Sequence, residues 1–136
     1  MVDLNIIKTN KLTELIGDLT VFDFNIDFKE KIVTFNLGYL PFVEKNIIKN
    51  IRFENVVWQD FSGFHRENIQ NHIIYSNDFN YFLQNKKEYI EGNTHYFPND
   101  LLKNLNDNQY HYYYFEPTSG FSSLIITQTE IIISNL

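Results

Sequence analysis

The chain has 136 residues, 43% hydrophobic and 17% aromatic, with a formal net charge of −6. That length and apolar content suit a single domain over 1–136 that buries a core without disulfides or a structural metal, and they exclude a disordered chain. Cysteine is absent, which excludes disulfides, thiolate zinc sites and a cysteine nucleophile, and the acidic balance argues against a nucleic-acid binder, which needs a basic face.

Met1–Lys8 does not read as a signal peptide. Asp3 stands where a basic region would be, and Asn5 and Lys8 break the apolar run. The apolar runs are only a few residues long, too short to span a membrane. A cytoplasmic location is expected. Asn, Ile, Lys, Phe and Tyr are abundant, and arginine occurs only at Arg52 and Arg66. That bias is expected of an AT-rich, bacterial genome.

The first periodic segment is helical. Leu12, Leu15, Ile16 and Leu19 fall at i, i+3, i+4 and i+7, which predicts a short helix over Lys11–Ile16. Asn10 is the expected N-cap, and Gly17 is expected to end the helix in the left-handed conformation. The period then becomes two. Phe22, Phe24, Ile26 and Phe28 are placed on one face, with Asp23, Asn25 and Asp27 on the wet one. Val33, Phe35, Leu37 and Tyr39 continue the alternation, so Thr20–Phe28 and Lys31–Tyr39 read as a hairpin. Lys29-Glu30 is nevertheless a poor two-residue turn. Gly38 and Pro41 stop the second strand.

A third strand is expected from Ile47 to Gln59. Ile51 and Phe53 are in phase, whereas Val56 and Trp58 are out of phase with them. One extra residue near Glu54-Asn55 repairs the pattern and predicts a β-bulge there; a strand buried on both faces is the alternative. Ile73–Tyr75 reads as a short strand. Asp78–Ile90 reads as a helix capped by Asn77 or Asp78, with Phe79, Phe82, Leu83 and Ile90 inward. Phe97-Pro98 opens another short helix that buries Leu101, Leu102 and Leu105. Tyr110–Phe115 is aromatic on both faces, as a central strand covered on each side would be. Pro117–Gly120 is a turn signal. Phe121–Leu136 reads as one interrupted strand pairing with Tyr110–Phe115, or as a hairpin turning near Gln128-Thr129.

Short gaps between strands favour antiparallel pairing. The expected fold is α+β: one twisted antiparallel sheet of about five to seven strands with short helices on one face, or a sandwich with helical excursions.

Candidate chemistry is sparse. His65, His72, His95 and His111 form no metal-binding motif, so neither metal nor cofactor is expected. No Gly-rich phosphate loop is present, and Ser62-Gly63 lacks the flanking glycines of a nucleophile elbow. Asp23, Asn25 and Asp27 have the spacing of a solvated strand face, although paired carboxylates also hold cations or act as acid and base. The segment Trp58–Glu67 concentrates a tryptophan, an arginine, a histidine and acids. Trp58, Asp60, His65, Arg66 and Glu67 are therefore the candidate binding residues, since Trp and Arg are enriched at interface hot spots. The competing reading makes Trp58 core and the charges solvated.

The runs Val21-Phe-Asp-Phe-Asn-Ile-Asp-Phe28, Ile32-Val-Thr-Phe-Asn-Leu37 and Ile51-Arg-Phe-Glu-Asn-Val-Val57 together resemble small bacterial immunity-type proteins that accompany secreted toxins. In those proteins successive strands precede an F-x-N-V element. The resemblance covers about the first half of the chain and transfers no site residue. It implies a cytosolic, non-enzymatic protein that binds and blocks one toxin. Monomer and homodimer are both open, since strand edges support a dimer when exposed and not when Lys-bearing segments cover them. A cationic partner such as a basic nuclease toxin would suit the acidic balance. The other reading is a small-ligand-binding or enzymatic domain, with an aromatic-lined pocket between Tyr110–Phe115 and Phe61–Glu67.

Overall fold

The structure is a computed structural model that describes residues 3–62, 70–85, 99–107, 109–117 and 122–136. In chain order the described elements are α1 (Leu4–Ile16), β1 (Thr20–Asp27), β2 (Ile32–Gly38), a 3-10 turn (Glu44–Asn46), β3 (Ile47–Phe53), β4 (Val56–Ser62), β5 (Gln70–Ser76), α2 (Phe79–Asn85), α3 (Asn99–Asp107), β6 (His111–Pro117), β7 (Ser122–Thr127) and β8 (Ile132–Asn135). The strands form two four-stranded antiparallel sheets, β1-β2-β3-β8 and β4-β7-β6-β5. The α+β class and antiparallel pairing are as expected; the single sheet of about five to seven strands is corrected to two sheets with eight strands among the described residues, the layered arrangement of the sandwich alternative. Among the described residues no helix is long and apolar enough to cross a membrane.

The two sheets share one core. Val33, Phe35 and Leu37 of β2 and Ile51 and Phe53 of β3 meet Ile73 of β5, Tyr113 and Phe115 of β6 and Ile125 of β7. Their rings interlock edge to face: Phe35 with Phe115 at 5.5 Å, Phe53 with Phe115 at 5.9 Å and Phe53 with Tyr113 at 5.2 Å between centroids. Edge-to-face pairs add about 0.5–1.5 kcal/mol each beyond their area burial. The second sheet is covered on its other face too. There Tyr110, Tyr112, Leu124 and Ile126 pack with Leu105 of α3 and Phe79 of α2. This explains why Tyr110–Phe115 is aromatic on both sides: β6 lies between β5 and β7, with a core on each face.

The phase break at Glu54-Asn55 has a different cause from the expected bulge. The chain leaves the first sheet there and enters the second, so β3 and β4 are one bent strand split between layers. Asn55 makes the corner with a left-handed φ of 52°, which asparagine tolerates better than most side chains. A bulge does occur, but within β4 between Val56 and Trp58. The C-terminal stretch bends in the same way. β7 pairs with β6, as expected, while β8 crosses to pair with β3. The two corners touch: the Gln128 N–H donates to the Asn55 carbonyl at 3.1 Å, and the Thr129 hydroxyl donates to the Glu54 carbonyl at 3.0 Å.

Helix α1 begins seven residues earlier than the apolar stripe predicts. Asp3, not Asn10, is the N-cap, its side chain accepting from the N–H groups of Asn5 and Ile6. Leu12 and Ile16 are buried, but Leu15 is 37% exposed. Gly17 is not left-handed; Asp18 takes that conformation, with φ 67°. Gly17 is needed for space instead, because a Cβ there would collide with the Thr13 carbonyl oxygen. The β1–β2 hairpin forms, but its turn has four residues, 28–31, and not two. Asp27 organises it by accepting from the N–H groups of Lys29 and Glu30, and Lys31 is left-handed at φ 58°. Phe28 is therefore 76% exposed in the turn and does not lie on the core face. Helix α2 starts at Phe79 with Asp78 accepting from the Asn80 and Tyr81 N–H groups; the rest of the expected helix to Ile90, the Phe97-Pro98 helix start and all of the expected Pro117–Gly120 turn but Pro117 lie outside the described residues.

Candidate functional site

The segment Trp58–Glu67 is only partly described. Trp58 and Asp60 are two residues apart on β4 and so share a face. Trp58 is half-buried and packs on the cluster of Leu105, Tyr112 and Ile126 beneath the helices. His65, Arg66 and Glu67 lie outside the described residues.

The outer face of the first sheet is the wet surface that the alternation predicts. A bulge between Val21 and Asp23 makes Phe22 the extra residue. Val21 then takes the inward position beside Leu37, and Phe24 and Ile26 follow it inward. Asp23, Asn25 and Asp27 are all exposed on the other side. Register sets Asp23 beside Asn36, Asn36 beside Asn50, and Asn50 beside Ser134, one row across all four strands. The row is bonded in one direction. The Asn50 amide donates to the Asn36 side-chain oxygen at 3.1 Å, and the Asn36 amide donates to the Asp23 carboxylate at 2.7 Å. The neighbouring row carries Asn25, Thr34, Arg52 and Ile132, with Arg52 paired to Glu54 at 2.9 Å.

This face has neither the geometry of a carboxylate dyad nor that of a cation site. Asp23 and Asp27 are four strand positions apart, about 13 Å at the usual rise per residue, and Asp27 is occupied with its own turn. Among the described residues no group of three His, Cys, Asp or Glu side chains is placed to hold a metal ion. What the face offers is a set of carboxylate and amide groups, with Arg52 paired to Glu54 among them, fixed in register by the sheet.

A second polar cluster joins α1 to the second sheet. The Tyr75 hydroxyl and His111 Nδ1 lie 2.6 Å apart. Lys8 Nζ sits 4.4 Å over the Tyr75 ring and pairs with Glu130 at 2.7 Å. Burial pushes Tyr75 up to about 12, helped by the negative charge of Glu130. Burial also lowers His111 below its ordinary value, with Lys8 acting in the same direction and Glu130 against it. Both shifts favour neutral forms, and either neutral tautomer of the imidazole satisfies the Tyr75–His111 bond. Beside this cluster a hollow of about 240 Å³ is lined by Asn5, Thr9, Tyr75 and Tyr81, among others. Its Thr9 side chain is already spent on the backbone of Tyr75 in β5 and its Asn5 side chain on the N–H of Asn77 just after it, and its volume lies below the range of about 300–1,000 Å³ usual for ligand pockets. The cluster fastens the helix to the sheet.

Sequence reasoning missed one exposed feature. Tyr39 does not extend the buried stripe of β2; it opens a loop in which Tyr39, Leu40, Phe42 and Val43 are 57, 41, 48 and 40% exposed. The Phe42 ring meets Phe22 edge-on at 5.0 Å. The loop therefore adjoins the acidic face at Asp23. No protein-family model matches the chain, and no curated protein or solved structure is significantly similar to it.

Proposed function

We propose that the chain is a non-enzymatic binding domain of immunity type, which docks a cationic protein, such as a toxin, on the outer face of the first sheet and blocks it by occlusion. The observation that carries this reading is the asymmetry of the two layers. The second sheet is packed on both faces, whereas the first leaves Asp23, Asn25 and Asp27 exposed, with no element among the described residues packed over them. Acidic groups held in register complement a basic partner, orient its approach and discourage wrong ones. The net charge of −6 adds a long-range attraction of the same sign.

The test is photo-crosslinking in host cells. Benzoylphenylalanine in place of Asn25 should capture a protein of net positive charge, identified by mass spectrometry. The same residue in place of Lys103, exposed on α3, should not capture it. The purified captured protein should bind the wild-type chain and lose its activity on binding. If nothing is captured at Asn25 and a metabolite copurifies tightly instead, the domain is a small-ligand binder and this reading is wrong.

A further inference from the structure

The loop between β2 and β3 is apolar where a surface loop is ordinarily polar. Exposed apolar side chains scattered singly need no explanation, but Tyr39, Leu40, Phe42 and Val43 fall within five residues, each at least 40% exposed. The loop is also held by its own bonds. The Val43 N–H donates to the Pro41 carbonyl at 2.8 Å, and the Asn46 N–H donates to the Val43 carbonyl at 2.9 Å. The Asn46 side-chain amide donates to the Pro41 carbonyl at 2.9 Å, and the Tyr39 N–H closes the loop on the Asn46 carbonyl at 3.3 Å. Gly38 permits that closure, because a Cβ there would collide with the Asn46 carbonyl oxygen. An apolar surface that is already ordered loses little conformational entropy on docking.

We infer that residues 39–43 form a preformed anchor, which inserts Phe42 into an apolar cleft bordered by basic groups on the same cationic protein that meets the acidic face. This rests on the binding reading given above. Continuity supports it: Phe22 packs on Phe42 and is followed directly by Asp23, whose carboxylate is fixed by Asn36. One partner laid across the sheet meets an aromatic knob and the exposed carboxylates of Asp23 and Asp27 on β1 together, the anchor-and-rim arrangement of a tight interface. A second copy is the poorer occupant, since each copy brings a charge of −6 to the contact. A membrane is poorer too. Glu44 and Lys45 cancel beside the loop, whereas a surface-bound apolar segment needs an excess of basic residues to be drawn to anionic lipid.

The experiment places benzoylphenylalanine at position 42 of the full chain, in parallel with position 25, in host cells. Capture of the same cationic protein at both positions supports the inference. Position 42 should map to an apolar segment of the partner flanked by Lys or Arg. With the purified partner, Phe42→Ser should then weaken binding roughly tenfold or more, mainly through faster dissociation, while the free chain loses only the Phe22–Phe42 contact and stays folded with a slightly lower Tm. Capture of a second copy, a lipid or nothing at position 42, with the partner still captured at 25, overturns the anchor and leaves the acidic-face reading standing. An unchanged dissociation rate for Phe42→Ser does the same. Capture of a protein without net positive charge, or nothing at either position, overturns both.

Discussion

At Tyr75 and His111 two aromatic side chains share a short bond in a place that penalises charge. Burial lowers His111 from its ordinary value of 6.5, so the folded chain binds that proton less readily than the unfolded one. The associated stability is fully present above pH 6.5 and is lost as pH falls through the folded value. Glu130 has the same sign at lower pH. Its hydrogen bond and ion pair with Lys8 hold it below 4.5, so its contribution is present above that value and fades as pH falls further. Tyr75 acts at the opposite end, since a value raised from 10.0 to about 12 gives stability that is lost as pH climbs between them. Urea unfolding of the wild type should therefore show a loss of stability from pH 7.5 to 5.5, and His111→Phe should flatten that interval. A variant that keeps the full slope would show that another group is responsible. Tyr75→Phe should cost about 1–2 kcal/mol at pH 7.5, because it leaves a partly buried imidazole nitrogen without its partner.

At the scale of elements, α1 does for β5 what another strand would do. β5 is the last strand of its sheet, and an uncovered edge invites pairing with other chains. Thr9 accepts from the Tyr75 N–H at 2.9 Å and donates to the Tyr75 carbonyl at 3.3 Å. Thr13 does the same for Ile73 at 3.2 and 3.4 Å, and Asn5 accepts from the Asn77 N–H at 3.3 Å. Thr9→Val and Thr13→Val keep the shape and remove these bonds. Each should cost about 1–2 kcal/mol, and hydrogen exchange should quicken at the Tyr75 and Ile73 amides respectively. Unchanged exchange would mean that the hydroxyls do not hold the edge. This stripe also shows why the sequence was read only in part. Leu12 and Ile16 reveal the second half of α1 because burial leaves an apolar period. Asn5, Thr9 and Thr13 keep the same period in polar residues, whose meaning depends on an edge sixty-six positions away for the Thr9–Tyr75 bond. The phase slip at Asn55 was visible, but a bulge and a change of sheet produce the same slip, and only the packing partner separates them. The wet row of Asp23, Asn25 and Asp27 was legible from alternation. The exposure of Tyr39 and Phe42 was not, since an apolar residue after a strand looks the same whether or not another element covers it.

At the scale of the whole molecule, charge and shape have separable effects on the proposed association. The acidic face is the exposed outer side of β1, and the overall charge of −6 extends its attraction beyond contact distance. Long-range attraction raises the rate of encounter, whereas the apolar anchor governs how long the complex lasts. Asp23→Asn with Asp27→Asn removes two charges while leaving side chains of nearly the same size. Association with the captured partner should slow several-fold in low salt, with a smaller change in dissociation. The difference should shrink as salt is added and vanish near 1 M, where the screening length has fallen to about 3 Å. Phe42→Ser should show the converse, a faster dissociation that salt hardly alters. Stopped-flow association and surface-based dissociation measured over a salt series check both. Asp27 has a second duty in the β1–β2 turn, and Asn can still accept those N–H groups, so the Tm of the double variant should stay near that of the wild type. If it does, and association is equally fast in wild type and variant at low salt, the acidic row is only a solvated face and the partner is recognised elsewhere.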